Sequence, residues 1–302
     1  MSPTTTARRL TAVALSAAGV LALATVPAQA EAATADVTGR YVALGDSFTA
    51  GPLIPGQYGR PVFCLRSRKN YPNLVAQALG SAEFHDASCS GATTEHMTRP
   101  QGLPLDTENA PQLDALTPDT DLVTLGIGGN DFGFAEILIT CATLSATDPA
   151  GDPCRDRYVD DEGGDELARR ADETGEKVAA VLAEIAERSP EATVVVVGYL
   201  QILPAERGCW PLVPIARGDV AYLDAAQSDL NTVLAKEAAE AGAVFVDVGE
   251  RGHDVCAAAD EKWVEGIFPT RPAAPVHPNA SGMAATAQRV LEAVGVEQAP
   301  LA

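Results

Sequence analysis

Arg40-Tyr41-Val42-Ala43-Leu44-Gly45-Asp46-Ser47-Phe48-Thr49 is the stretch from which the fold is read. Its first six residues make a short apolar run with a β-branched residue, stopped by Gly and Asp, as a buried strand should be. The pattern recurs along the chain. Residues 83–87 are strand-like, 122–127 are fully apolar, 193–197 are an unbroken β-branched run, and 243–248 give a fifth strand. Helical stretches lie between them, at residues 71–79 and 132–139 and then at greater length. Across 165–188, Leu167, Ala171, Val178, Val181, Leu182 and Ile185 recur at three- and four-residue spacings, as on an amphipathic helix. Residues 219–241 carry Val220, Leu223, Leu230, Val233, Leu234 and Ala241 on one face, with Gly242 as a stop signal, and a last helix is expected over 279–294. Five short strands alternating with helices predict an α/β domain whose five-stranded parallel sheet has right-handed crossovers and is covered on both faces. One such domain, residues 37–302, accounts for everything after residue 36. The acidic segment 148–166 and the Pro- and Gly-rich segment 199–218 fall outside the repeat and read as exposed loops.

Composition narrows the chemistry. The 302 residues are 46% hydrophobic and 21% charged, enough for a substantial core and unlike a disordered chain. The 41 Asp and Glu against 21 Lys and Arg give a net charge of -20, which repels phosphate backbones and anionic headgroups and excludes nucleic-acid binding. Near the start, Arg8-Arg9 precedes an Ala-rich apolar run from Leu10 to Val26 that ends in the A-x-A pattern Ala28-Gln29-Ala30. Residues 1–30 therefore read as a secretory signal peptide, with an apolar run too short for a membrane span. The expected mature protein is an extracellular monomer with no integral membrane segment.

Export gives the six cysteines, Cys64, Cys89, Cys141, Cys154, Cys209 and Cys256, the meaning of disulfides. Many pairings are open, and bridges between sequence neighbours need the fewest chain crossings. Zinc is the alternative, but no C-x-x-C or paired-His spacing supports it. The acidic segment lacks the spacing of an EF-hand calcium loop. No cofactor and no metal are expected.

In open parallel sheets, reactive groups collect at the carboxyl ends of the strands. There the first strand runs into Asp46-Ser47, the second into Ser90-Gly91-Ala92 and the third into Gly128-Gly129-Asn130-Asp131, while His277-Pro278-Asn279 lies between the fifth strand and the last helix. Ser, Gly, Asn and His are the parts that acyl transfer to water requires: a nucleophile, a base and oxyanion donors. Ser47 Oγ would attack an ester carbonyl while His277 takes its proton and then passes it to the leaving alcohol. The N–H groups of Ser47 and Gly91 and the amide of Asn130 would surround the oxyanion, each donor worth ~3 kcal/mol. Taken singly, Ser47 is a helix cap, Gly91 and Asn130 are turn residues, and His253 beside Asp254 is a rival base. No G-x-S-x-G elbow is present, which argues against an ordinary α/β-hydrolase.

In order along the chain, these blocks resemble the SGNH, or GDSL, hydrolases, and more narrowly the secreted lipases of Streptomyces-type actinobacteria. Gly45-Asp46-Ser47 matches the first block, Gly91 the glycine block, Gly128 to Asp131 the G-x-N-D block and His277 the histidine block, so the resemblance covers nearly the whole mature chain. It implies a flavodoxin-like three-layer sandwich without a lid domain or metal, and it places Ser47, Gly91, Asn130 and His277 in the roles above. It also implies bridges in the order Cys64 with Cys89, Cys141 with Cys154, and Cys209 with Cys256.

The chain departs from the pattern at one position. Many members place an Asp three residues before the histidine, where this chain has Ala274. Some secreted members use a main-chain carbonyl instead, and those of Ala274 and Pro275 are the nearest candidates to hold Nδ1–H of His277. Asp247, at the end of the fifth strand, is the alternative acid. The expected function is that of a secreted serine esterase acting on lipid esters of the triacylglycerol type. Its rivals are a phospholipase, a carbohydrate deacetylase and a non-catalytic exported binding protein. Pro52-Leu53-Ile54-Pro55 and Ile202-Leu203-Pro204 are expected to line an acyl groove, which favours lipid over sugar.

Overall fold

A right-handed crossover can set the next parallel strand on either side of the last, and this chain uses both directions. In the computed structural model, which describes residues 37–296 besides Met1, β1 (Arg40–Gly45) is followed on one side by β2 (Glu83–Asp86). The chain then returns to lay β3 (Leu122–Gly126) on the other side of β1, and β4 (Thr193–Val197) and β5 (Val244–Val246) extend the sheet outward. The order is β2-β1-β3-β4-β5, and every pairing in this sheet is parallel. In register, Tyr41 faces Leu122 and Gly45 faces Gly126. The direction reverses between β1 and β3, so a crevice opens above their carboxyl ends.

Among the described residues the helices are α1 (Ser47–Ala50), α2 (Tyr71–Leu79), α3 (Gly129–Phe132), α4 (Phe134–Ser145), α5 (Pro153–Tyr158), α6 (Glu166–Arg188), α7 (Asp219–Glu240) and α8 (Ala280–Ala293). Because the crossovers keep one hand, reversing direction sends helices to opposite faces. The helix α2 packs with α8 in one layer and α6 with α7 in the other, giving the three-layer α/β sandwich. Strands buried on both faces explain the unalternating sequence: Tyr41 to Leu44 and Leu122 to Leu125 are all fully buried. On α6 the Asp165 side chain accepts the Leu167 N–H at 2.8 Å, a cap worth ~1 kcal/mol. Gly175 lets α7 close onto α6, since a Cβ there would lie 2.3 Å from Val233 Cγ1.

The structure differs from the sequence expectation in several places. The expected helix over 132–139 is two helices, α3 and α4, separated at Gly133 with φ +94°. The acidic segment 148–166 holds the short helix α5 rather than loop alone. Segment 199–218 is irregular but not simply exposed: Tyr199, Leu200, Leu203, Val213 and Ile215 are buried and belong to the hydrophobic core. Two small antiparallel pairs, Gln57–Tyr58 with Arg66–Ser67 and Gln101–Leu103 with Thr107–Asn109, were not expected, since strands this short carry no readable alternation.

The expected signal peptide lies outside the described residues. Among the described residues no helix is long and apolar enough to cross a membrane. The cysteines pair as Cys64–Cys89, Cys141–Cys154 and Cys209–Cys256. The first bridge fastens the loop before Gly91, the second ties α4 to α5, and the third joins segment 199–218 to the loop after β5.

Candidate active site

Ser47 opens α1, the single helical turn that follows β1, and is 8% exposed. The cap of that turn is Asp46, whose side chain accepts the Phe48 N–H at 2.8 Å, so the Ser47 hydroxyl is not spent on capping. His277 Nε2 lies 2.8 Å from Ser47 Oγ. His277 Nδ1 lies 2.8 Å from the Pro275 carbonyl oxygen. A carbonyl only accepts, so the ring proton sits on Nδ1 and the Nε2 lone pair faces the serine hydroxyl. The Ala274 carbonyl is engaged by the main-chain N–H of His277 at 3.2 Å. Of the two carbonyls, the structure brings that of Pro275 to the imidazole.

Val276 makes this contact geometrically accessible. Its φ of +60° is unusual for a β-branched residue and turns the chain so that the Pro275 carbonyl meets the Nδ1 edge of the ring. The turn is held by main-chain bonds: Val276 N–H to the Glu265 carbonyl at 3.1 Å and Glu265 N–H to the His277 carbonyl at 3.0 Å. The Glu265 carboxylate is itself fully buried and accepts from Asn279 Nδ2 at 2.8 Å, from the Thr270 N–H at 2.7 Å and from Thr270 Oγ1 at 2.9 Å. Burial opposes its charge, but these donors hold its carboxyl below the ordinary range. The half-buried His277 ring packs on Phe48 at 5.3 Å between centroids. Burial lowers its pKa, opposed by its hydrogen bond to the Pro275 carbonyl.

The rivals to these two residues are engaged elsewhere. His253 stacks on Trp263 with centroids 3.9 Å apart, and its Nδ1 meets the Glu261 carbonyl at 2.5 Å. Asp247 is exposed, and its carboxylate accepts the Gly249 N–H at 2.8 Å.

Asn130 is the second residue of α3, and its Nδ2 donates one hydrogen to the Ala92 carbonyl at 2.8 Å. An amide carries two such hydrogens, so the second is available to another acceptor. The same bond fastens the Gly91 loop to Asn130. Gly91 itself has φ +78°, a left-handed conformation that disfavours any side chain. Gln101 Nε2 donates to the Ser90 carbonyl at 2.9 Å. That carbonyl shares a planar peptide unit with the Gly91 N–H, so Gln101 sets the direction in which the N–H points. Asp131 accepts from the Thr94 N–H at 2.9 Å and Oγ1 at 2.6 Å, a second tie between the two loops.

Ser47, Asn130 and His277 border one cavity of about 380 Å³. Its walls include Phe48, Phe134, Leu138, Leu203, Leu223 and Ala226. Of the Ile202-Leu203-Pro204 stretch, Ile202 and Leu203 line it and Pro204 does not. The Pro52 to Pro55 segment does not: Ile54 is fully buried in the core and Leu53 points out to solvent. Helices α4 and α7 supply that wall instead, with residues indistinguishable in sequence from those of a core-facing stripe. Three residues escaped the sequence reading: Gln101, Phe134 and Tyr199. Only Tyr199 carried a usable signal, because it follows the carboxyl end of β4, where the strand-end rule directs attention.

Residues 43–285 match the GDSL-like lipase/acylhydrolase family. Lipase 2 of Streptomyces coelicolor is 38% identical over 298 residues, covering 96% of this chain and 98% of its own. The crystal structure of the extracellular lipase of Streptomyces rimosus has a TM-score of 0.66 at 30% identity, covering 85% of this chain and 99% of that one. The structure of phospholipase A1 from Streptomyces albidoflavus NA297 also has a TM-score of 0.66, at 29% identity, covering 85% of this chain and 98% of that one. The chain thus belongs to the GDSL-like lipase/acylhydrolase family and is an ester hydrolase of the lipase and esterase class.

Proposed function

We propose that the protein is a secreted serine esterase that cleaves the acyl esters of lipids through an acyl-enzyme on Ser47. The observation that carries this reading is the 2.8 Å contact between His277 Nε2 and Ser47 Oγ at the edge of an apolar cavity. His277, oriented by the Pro275 carbonyl, takes the Ser47 proton as Oγ attacks the ester carbonyl. The tetrahedral oxyanion is received by the N–H groups of Ser47 and Gly91 and the Asn130 amide. The imidazolium returns its proton to the leaving alcohol, and water repeats the cycle on the acyl-enzyme. Phe48, Phe134 and Leu138 suit a hydrocarbon chain better than a sugar, which favours lipid esters over acetylated carbohydrate. The signal-peptide pattern and three disulfides support export.

A second reading, cleavage of a phospholipid acyl ester, is favoured by the likeness to the Streptomyces albidoflavus phospholipase A1. The net charge of -20 opposes it for anionic headgroups and leaves zwitterionic ones open.

The test is covalent labelling by a serine-directed phosphonate, run beside turnover of p-nitrophenyl esters from acetyl to palmitoyl, a phosphatidylcholine and an acetylated sugar. Labelling and turnover are expected in the wild type and absent in a folded Ser47→Ala variant. Normal turnover by that variant, or an unlabelled wild type, refutes the assignment.

A further inference from the structure

Tyr199 is one of the largest fully buried side chains and stands beside the proposed nucleophile with its hydroxyl turned toward polar groups rather than solvent. That hydroxyl lies 2.6 Å from Asp46 Oδ2 and also accepts the Gly129 N–H at 2.6 Å. A backbone N–H can only donate and a phenol has one hydrogen to give, so the hydroxyl accepts from Gly129 and its own hydrogen goes to Asp46 Oδ2. Asp46 precedes Ser47 and Gly129 precedes Asn130. We propose that Tyr199 is a positioning residue whose single buried hydroxyl sets the spacing between the nucleophile turn and the Asn130 oxyanion donor. The proposal rests on the serine-esterase reading above and adds to it a residue that makes no contact with the reacting atoms.

The surroundings are built for such a role. The Tyr199 backbone is clamped by Asn231 on α7, which accepts its N–H at 2.8 Å and donates to its carbonyl at 2.9 Å. The ring is wedged between Phe48 and Phe134, each in edge contact with centroids 5.1 Å away. Root and ring are both fixed, so the oxygen has one place to be. Gly129 fits the same picture. A Cβ there would come within 2.9 Å of Tyr199 Cε1 and 2.7 Å of Phe134 Cδ2, so any larger residue would push the Asn130 turn off the hydroxyl. Burial pushes the Asp46 carboxyl up to about 7, and the Tyr199 hydrogen bond is foremost among the contacts opposing that rise. A misplacement near 1 Å in a reacting constellation is enough to cost about 10² in rate.

The merely structural alternative is that Tyr199 fills the core and the hydroxyl satisfies two buried groups with no bearing on the donor. A double-mutant cycle on the full mature chain separates them, using p-nitrophenyl butyrate and the variants Tyr199→Phe, Asn130→Ala and the pair. Phe keeps the ring packing and removes one oxygen. The expected result is a kcat lower by roughly 10- to 100-fold in Tyr199→Phe with KM within about twofold, because the donor matters only when charge develops. In the Asn130→Ala background the same change should cost less than about threefold, since an absent amide cannot be misplaced.

Near-wild-type kcat in Tyr199→Phe, or an equal loss in both backgrounds, overturns the proposal. If Tyr199→Phe does not fold, Asp46→Asn tests the same link, because it retains an oxygen for the Phe48 N–H and replaces the Oδ2 acceptor of the Tyr199 hydroxyl with a donor. The same non-additivity with Asn130→Ala is expected, and additive losses overturn the proposal. A wild type that neither turns over the ester nor takes the phosphonate refutes the esterase reading and this proposal together. An active wild type with an additive cycle refutes this proposal alone.

Discussion

Ala226 lies on α7 in the wall of the cavity that Ser47 borders and is 7% exposed, so a larger side chain there can extend into that cavity. Ala226→Phe should therefore shorten the acyl chain the enzyme accepts without touching its chemistry. If the added ring displaces about four methylenes of a decanoyl group, at ~0.8 kcal/mol for each one buried, the loss is about 3 kcal/mol. That corresponds to roughly a two-hundredfold fall in kcat/KM for the decanoate ester. A butyryl chain has at most two methylenes to displace and should lose far less than the decanoyl chain. The assay is kcat/KM for p-nitrophenyl butyrate and decanoate on wild type and variant, below the melting transition of both. A parallel thermal melt reports whether the ring entered the core instead, which would cost about 1–3 kcal/mol in overpacking. Equal losses on the two esters in a folded variant would refute the placement of the acyl chain in this cavity.

Other expectations follow from the same geometry. Asn130→Ala should lower kcat by about 10²–10³ with little change in KM, and a change confined to KM would remove the amide from the oxyanion hole. The rate should rise with pH through a midpoint below the ordinary histidine value of about 6.5. Burial lowers the His277 pKa, and only neutral imidazole accepts the serine proton, so activity is lost as pH falls. A profile flat from pH 5 to 9 would discard His277 as the base. Asp247→Asn should keep most activity, because that carboxylate is exposed and bonded to the Gly249 N–H rather than the imidazole. A loss near 10⁴ in kcat, the size expected for an orienting acid, would overturn the Pro275 assignment.

Much of the fold was legible from local chemistry. β1 and β3 are apolar without alternation because both faces are covered, and the helix of residues 165–188 shows its buried stripe at every turn. Both signals are set by near neighbours along the chain. The break at Gly133 was not legible, because one glycine within an apolar stretch reads equally as a tolerated helix residue. The lining of the cavity was illegible for a different reason. Leu223 and Ala226 lie on the inward face of α7, and sequence does not distinguish a wall that meets other side chains from one that meets empty space.

Sequence alone singles out Ser47 and Asn130, just after β1 and β3, and His277 in the loop before the last helix, because a parallel sheet sends such loops to one edge wherever the strands fall in order. Which groups meet them is set by the folded chain. Ser47 and His277 are 230 residues apart, and Tyr199 reaches Asp46 across 153, so no local pattern records either contact. The choice of the Pro275 carbonyl over that of Ala274 depends on one left-handed residue, Val276, held there by main-chain bonds to Glu265. A valine does not adopt that conformation on local preference. The surrounding packing imposes it, and that packing exists only once the chain is folded.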